Sequence, residues 1–525
     1  MNKLLKSIEN QGYNARVRTR EGATAHASIR TGKLDAEGVL PFFTLAAGMR
    51  GDVEQAWSLF QEAWESHQLV AIRALFYLRY FRRDGVTGNG EREMFRQIFA
   101  RFATRNDDVA ASLVRHIPDF GRWDDVLGLL AVEYKYSAPK TREAVVSLIT
   151  AQMRDDIRAY RSGKAVSLMA KWLPSENASS EESTNQARFL ARRLGMRHEE
   201  YRNTLTKLRE EIGIIETMIT NGDFGKIDYT RVPAQAHRIH SKLFMQKDTA
   251  RYQAYLDSVT KGTKKIHTTG LQAHQVTMAA MTTATVRSAD VMWQDMLNQF
   301  QTELDVLVAL DTSASMERGS FYGNRGGVKN QSPQEIATSL AAFFSEVNTG
   351  AFHRWIINFQ TNAKMFKVRG ETLQDRIRNL KGMNSDHGAT NIHKMYELLL
   401  SHARSVNASE EDMPDVIMIL SDMQFSGGSV YGWNGTPETV LENMRRQYVK
   451  AGYQMPVVIY WNVNALPDSS PIKADDQGVL MVNGFSQDVL RHILRMSKDD
   501  LRQFTPVGMM LSALTSEPYS AITLD

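Results

Sequence analysis

Late in the chain, five runs are apolar on both faces of an extended strand: DVLVAL (305–310), HRWIINF (353–359), DVIMIL (415–420), MPVVIYW (455–461) and GVLMV (478–482). A strand with one wet face alternates polar and apolar residues. These runs do not, so both faces must be covered. Helical periodicity fills the gaps, near 333–348, 391–405, 436–451 and 486–498. Alternating two-faced strands and amphipathic helices predict a doubly wound α/β sheet with a helical layer on each side.

The first of these strands stops on a carboxylate. Residues 305–315 read DVLVALDTSAS, placing Asp311, Ser313 and Ser315 at alternate positions just past the apolar run. The third run also ends in a carboxylate, Asp422, in DVIMILSD. Thr390 lies in the glycine-bearing loop SDHGATN ahead of a helix. In a doubly wound sheet, binding sites form at the carboxyl ends of the strands. Asp311, Ser313, Ser315, Thr390 and Asp422 would therefore gather there as hard oxygen donors, suited to Mg2+ first and to Mn2+ or Ca2+ as alternatives. Asp311 and Ser313 would also serve simply as a helix cap. Two loops rich in Gly and Asn, 318–332 and 426–437, are expected at the same edge.

Upstream, from about residue 38 to 295, the pattern is helical. Val53, Ala56, Trp57, Phe60 and Trp64 form one apolar stripe, and Leu205, Leu208, Ile212 and Ile215 form another. Successive helices separated by Gly/Pro punctuation predict an all-α helical repeat, although no clean period is present. The expected segments are an N-terminal tail (1–25), the helical part (26–298) and the α/β part (299–525). At 525 residues, the chain exceeds what a single core usually organises.

Charge is unevenly spread. Residues 151–270 carry 21 basic against 14 acidic side chains, or +7, whereas residues 271–525 carry 21 against 27, or −6. In a helix expected over 186–209, Arg188 and Arg192 lie on a cationic face with Arg193, Arg197 and Lys207 nearby. His237, Arg238, Lys261, Lys264 and Lys265 follow. Such a surface could neutralise phosphates. It could equally be a solvated face paired with Glu199, Glu200 and Glu210.

Other patterns exclude functions. There is no cysteine, so disulfides and thiolate chemistry are ruled out. No apolar window has the length of a membrane span, and no apolar region follows the first lysines as in a secretory signal, so a cytoplasmic protein is expected. Gly85, Gly88 and Gly90 follow no strand and precede no Gly-Lys-Ser/Thr, so no nucleotide site is expected. No catalytic residues are assigned and no enzyme is expected; His387 is the one candidate base near the strand ends. Trp123 and Trp172 are expected in the core.

Two resemblances follow from these residues. The set Asp311, Ser313, Ser315, Thr390 and Asp422 resembles the metal-ion-dependent adhesion site of von Willebrand factor A domains. That resemblance implies a bound divalent cation whose open position takes a carboxylate from a protein partner, sometimes an AAA-type ATPase. Asn391 follows Thr390 where related proteins often have aspartate. Several upstream stretches are distinctive: ALFYLRYFRRDGVTGNGEREMF (74–95), FGRWDDVLGLL (120–130), AKWLPSENA (170–178) and IDYTRVPAQAH (227–237). Ahead of LSDMQF (420–425) and NGFS (483–486), they resemble a TROVE-related family found in plants, bacteria and viruses, whose better-known member is the Ro autoantigen. This second resemblance implies HEAT-like repeats, possibly closed into a ring, a Rossmann-like A domain, and a non-enzymatic RNA-binding scaffold or RNA chaperone.

Overall fold

The computed structural model describes residues 16–19, 22–49, 52–80, 88–132, 138–300, 302–317, 332–383, 390–426, 430–431, 437–465, 469–491 and 493–524. The chain forms two compact units. One comprises Met1–Leu78, Arg82–Gly90 and Pro233–Ser520; the other comprises Arg79–Phe81, Glu91–Val232 and Ala521–Asp525. The grouping does not follow the pattern change near residue 299, because the helices just before it and the first segment of the chain both belong to the α/β unit.

The α/β unit is built on a six-stranded sheet. Ahead of it in sequence is a short hairpin, β1 (Arg16–Arg18) and β2 (Thr24–His26). The sheet contains β3 (Val306–Asp311), β4 (Trp355–Phe359), β5 (Ala363–Lys367), β6 (Val416–Ser421), β9 (Val457–Asn462) and β10 (Val479–Asn483), with β7 (Val430–Tyr431) and β8 (Pro437–Glu438) forming a separate ribbon. The strand order is β10-β9-β6-β3-β4-β5. Every pairing in the sheet is parallel except β4 with β5. The sheet is therefore mixed, with one antiparallel edge strand. That edge strand, AKMFK, is half-exposed and mixes two lysines with apolar residues, so it lacks the two-faced apolar signature of the others. β3, β6 and β9 are buried along their whole length, as two-faced apolar runs require.

The helix Pro333–Val347 is buried on nearly every side. The helices Ala273–Ala280 and Val286–Asn298 pack against it. Thr277 and Ser339 hydroxyls meet at 2.8 Å, Trp293 Nε1 donates to Glu346 (3.2 Å), and Leu373 N–H donates to Asp290 (2.6 Å). These bonds explain why residues 273–298 belong to the α/β unit. The helix expected over 486–498 is instead two 3-10 turns, Gln487–Leu490 and Ile493–Arg495, followed by the helix Lys498–Gln503. Gln487 supplies part of the reason. Its side chain accepts from Ala273 N–H (3.0 Å) and donates to Leu271 C=O (2.8 Å).

The second unit is helical, with its longest helix at Pro139–Arg161. The helix expected over 186–209 is two helices, Glu181–Arg193 and His198–Ile212. Gly195 ends the first in the left-handed conformation (φ 68°), where glycine avoids the Cβ clash. Met196 N–H reaches back to Ala191 C=O (2.9 Å), closing the cap. The FGRWDD stretch encloses a buried ion network. Asp125, fully buried, accepts from Arg79 Nε (2.8 Å), Arg96 Nε (2.7 Å) and Arg122 N–H (2.8 Å). A Cβ at Gly121 would lie 2.4 Å from the Asp125 carboxylate, so only glycine fits. Trp123 and Trp172, expected as core anchors, are half-buried, and Lys171 Nζ lies 5.7 Å from the Trp172 ring centre.

Removing one partner from this network leaves buried charge uncompensated. Asp125→Ala is expected to destabilise the helical unit by about 3–5 kcal/mol in denaturant unfolding. A change under about 1 kcal/mol would show that the network contributes little.

Candidate metal centre

The strand order places the reversal of chain direction between β3 and β6. β3 passes to β4 on one side, and the chain later returns to β6 on the other, leaving a crevice at the carboxyl ends of that pair. Asp311 ends β3, and Asp422 is the first residue beyond β6. Register pairs Leu310 with Leu420, so one step on Asp311 stands beside Ser421.

Asp311 is completely buried. Its Oδ1 accepts from Ser313 N–H (2.9 Å) and its Oδ2 from the Ser421 hydroxyl (2.6 Å). Ser313 and Ser315 hydroxyls lie 3.0 Å apart. Asp422 is 2 % exposed, and its Oδ1 accepts from Gln424 N–H (3.1 Å). Burial, and then the neighbouring charge of Asp422, push the Asp311 carboxyl up to about 7. Immediately after Asp422, Met423 adopts φ 64° and donates its N–H to Ser421 Oγ (3.1 Å). A left-handed non-glycine residue costs roughly 1–2 kcal/mol, so this turn is held by its surroundings.

Backbone bonds bring Thr390 to the same edge. Asn391 N–H donates to Gln360 C=O (3.0 Å), immediately past β4, and Ser426 N–H donates to Thr390 C=O (2.7 Å). Thr390 is fully buried, and its hydroxyl has no hydrogen-bond partner among the described residues. A buried hydroxyl left unsatisfied costs about 1–3 kcal/mol.

These observations test whether the five residues suit a divalent cation. Two buried carboxylates raise each other's energy, two serine hydroxyls share one small space, and a threonine hydroxyl is orphaned. All are oxygen donors, and a hard cation would relieve both the repulsion and the orphaned group. Among the described residues, no three His, Asp or Glu side chains cluster as metal ligands, so this centre depends on hydroxyls. His387 and most of the two glycine-rich loops lie outside the described residues. Sequence reasoning missed Ser421, although its place before Asp422 in a strand paired with β3 put its hydroxyl beside Asp311.

The cationic residues divide between the two units. Arg188, Arg192, Arg193, Arg197 and Lys207 are exposed in the helical unit. Arg193 pairs with Glu143. Arg188, Arg192, Arg197 and Lys207 have no ion-pair partner among the described residues, so the expected pairing with Glu199, Glu200 and Glu210 does not form around them. Lys261, Lys264 and Lys265 are exposed in the other unit, while Arg238 is half-buried and donates to Gln235 (3.1 Å). His237 does not belong to a surface. It is fully buried, its Nε2 lies 2.8 Å from Tyr252 Oη, and burial holds its ring down to about 4. A neutral ring enclosed by Phe244, Tyr252 and Tyr255 cannot reach a phosphate in solvent.

Two family models match the chain, each described only as a domain of unknown function: DUF2828 over residues 140–308 and DUF7788 over residues 306–506. The second span contains all five candidate metal residues. The uncharacterized protein L728 of Acanthamoeba polyphaga mimivirus is 25% identical over 500 residues, covering 88% of this chain and 82% of that protein. The crystal structure of the Deinococcus radiodurans RO (RSR) protein aligns with 91% of this chain and 99% of its own, at 13% identity and a TM-score of 0.43. No helix among the described residues is long and apolar enough to cross a membrane.

The raised Asp311 carboxyl sets a pH dependence. Folded, it holds its proton up to about 7, well above an ordinary carboxyl. The cation-free fold therefore loses stability as pH rises from about 4 towards 7, and a cation restores it. Mg2+ affinity should fall about tenfold per pH unit below 7, and the thermal shift on adding Mg2+ should be larger at pH 8 than at pH 6. Calorimetric titration and thermal melts read both effects; affinity independent of pH from 6 to 8 would contradict the assignment.

Proposed function

We propose that the chain is a non-enzymatic RNA-binding scaffold whose α/β unit carries a divalent-cation site of the von Willebrand A type. The reading of the upstream helices as HEAT-like repeats belongs to the same proposal. Support for the RNA part comes from the exposed, unpaired Arg188, Arg192 and Lys207 on two neighbouring helices of one unit and Arg197 in the turn between them, together with the resemblance to Ro-type proteins. Cations left without carboxylate partners are free to displace counterions from a phosphate backbone.

The cation site would be held by Asp311, Ser313, Ser315, Thr390 and Asp422, with Mg2+ the first candidate. When bound, the cation would supply a Lewis-acidic position open to a further oxygen ligand. Asp311 acts by holding charge against it, and Ser421 fixes the direction of that carboxylate. Both oxygens of Asp311 already accept hydrogen bonds, an arrangement that favours holding a cation over shuttling a proton.

A second reading has its own observation. The buried Thr390 hydroxyl has no partner among the described residues, and its backbone is bonded to the segment that follows Asp422, which favours a cation-dependent contact with an acidic side chain of a protein partner. In that reading, the arginines serve solubility.

RNA binding separates the two. Single-stranded RNA should bind at low ionic strength and weaken steeply with salt. Arg188→Glu with Arg192→Glu should reduce the salt slope by about 1.4, at roughly 0.7 per phosphate contact. No RNA binding at low salt, or an unchanged slope in the double variant, would overturn the RNA reading and leave the protein-contact one.

A further inference from the structure

The N-terminal hairpin is bonded directly to the loops that carry the cation site. Ala23 N–H donates to Phe425 C=O (3.2 Å), and Gly22 bridges to Ser426 in antiparallel fashion. Ser426 in turn bridges to Asn391 in parallel, and its N–H donates to Thr390 C=O. The segment after β6 is thus the middle strand of a small ladder, with the hairpin on one side and Thr390–Asn391 on the other.

One side chain closes the joint. The Thr19 hydroxyl donates to Phe425 C=O (2.5 Å) and accepts from Ala23 N–H (3.0 Å). Thr19, Ala23 and Phe425 are all buried. The far end of the hairpin is tied separately. His26 and Ser470 exchange a pair of backbone bonds at 2.9 Å, and Lys473 Nζ donates to Ser28 C=O (2.8 Å) and Arg30 C=O (2.9 Å).

We infer that Thr19 is a positioning residue for the cation site: it locks the hairpin onto Phe425–Ser426, and that strand sets where the Thr390 hydroxyl stands. This rests on reading the cluster as a cation site. A hydroxyl with no other partner contributes to cation binding only where the backbone puts it, and the backbone of Thr390 is held from both sides, by Gln360 and by Ser426. Supports outside the ligand shell commonly change metal affinity by about 10–100-fold when removed. Linkage makes the coupling reciprocal, so a bound cation must also tighten the hairpin.

The test uses the full-length protein with Mg2+ alone, titrated calorimetrically, and hydrogen exchange of the segment 16–26 with and without Mg2+. Thr19→Val, which keeps the shape and loses the hydroxyl, should bind Mg2+ about tenfold more weakly. Thr19→Ser should bind as the wild type does, and Mg2+ should slow exchange at Ala23 in the wild type. Wild-type affinity in Thr19→Val, or exchange at Ala23 indifferent to Mg2+, would overturn the role of Thr19. If Thr19→Val does not fold, the wild-type exchange result still decides. A wild type that binds no Mg2+, or Asp311→Ala binding it equally well, would instead remove the cation site itself.

Discussion

Two carboxylates, Asp311 and Asp422, are buried at neighbouring strand ends, and their mutual repulsion is the constraint around which the α/β unit is arranged. Burial away from water, and then the neighbouring charge of Asp422, disfavour the ionised form of Asp311, and its raised carboxyl registers that cost. The surrounding structure holds them regardless. Ser421 ties Asp311, Gln424 N–H ties Asp422, and Met423, the residue after Asp422, accepts a left-handed backbone. Strain, buried charge and an orphaned hydroxyl at one sheet edge are costs that a divalent cation held there would offset.

The strand order explains why the site lies there. Only where the chain reverses direction across the sheet do two parallel strand ends part enough to leave a crevice, and β3 and β6 are that pair. Much of this was legible in the residues. Apolar runs on both faces placed β3, β6, β9 and β10 to within about two residues, and carboxylates ending two of those runs marked the edge. The strand β5 was not legible, because an exposed edge strand of mixed polarity carries no two-faced pattern. The hairpin was missed for a related reason. RVR and TAH are three residues each, too short for a period, and their bonds go to segments some 400 positions away.

The helical part shows the same division. Apolar stripes located helices correctly, with Ala56, Trp57 and Phe60 buried on one and Leu205 and Leu208 on another. Composition could not tell a buried histidine from an exposed one. His237 sits in a basic stretch by sequence and inside an aromatic cluster by structure. Nor could local pattern show that the helices at 273–298 serve the sheet, since that depends on tertiary partners such as Glu346 and Ser339.

The central claim is that the five oxygen-bearing residues hold a divalent cation. Crystals grown with Mn2+ and measured at its absorption edge test it most directly. The account predicts one anomalous peak bounded by the oxygens of Asp311, Ser313, Ser315, Thr390 and Asp422, lost in Asp311→Ala. A wild-type crystal with no peak there, or with manganese bound only elsewhere, would contradict it.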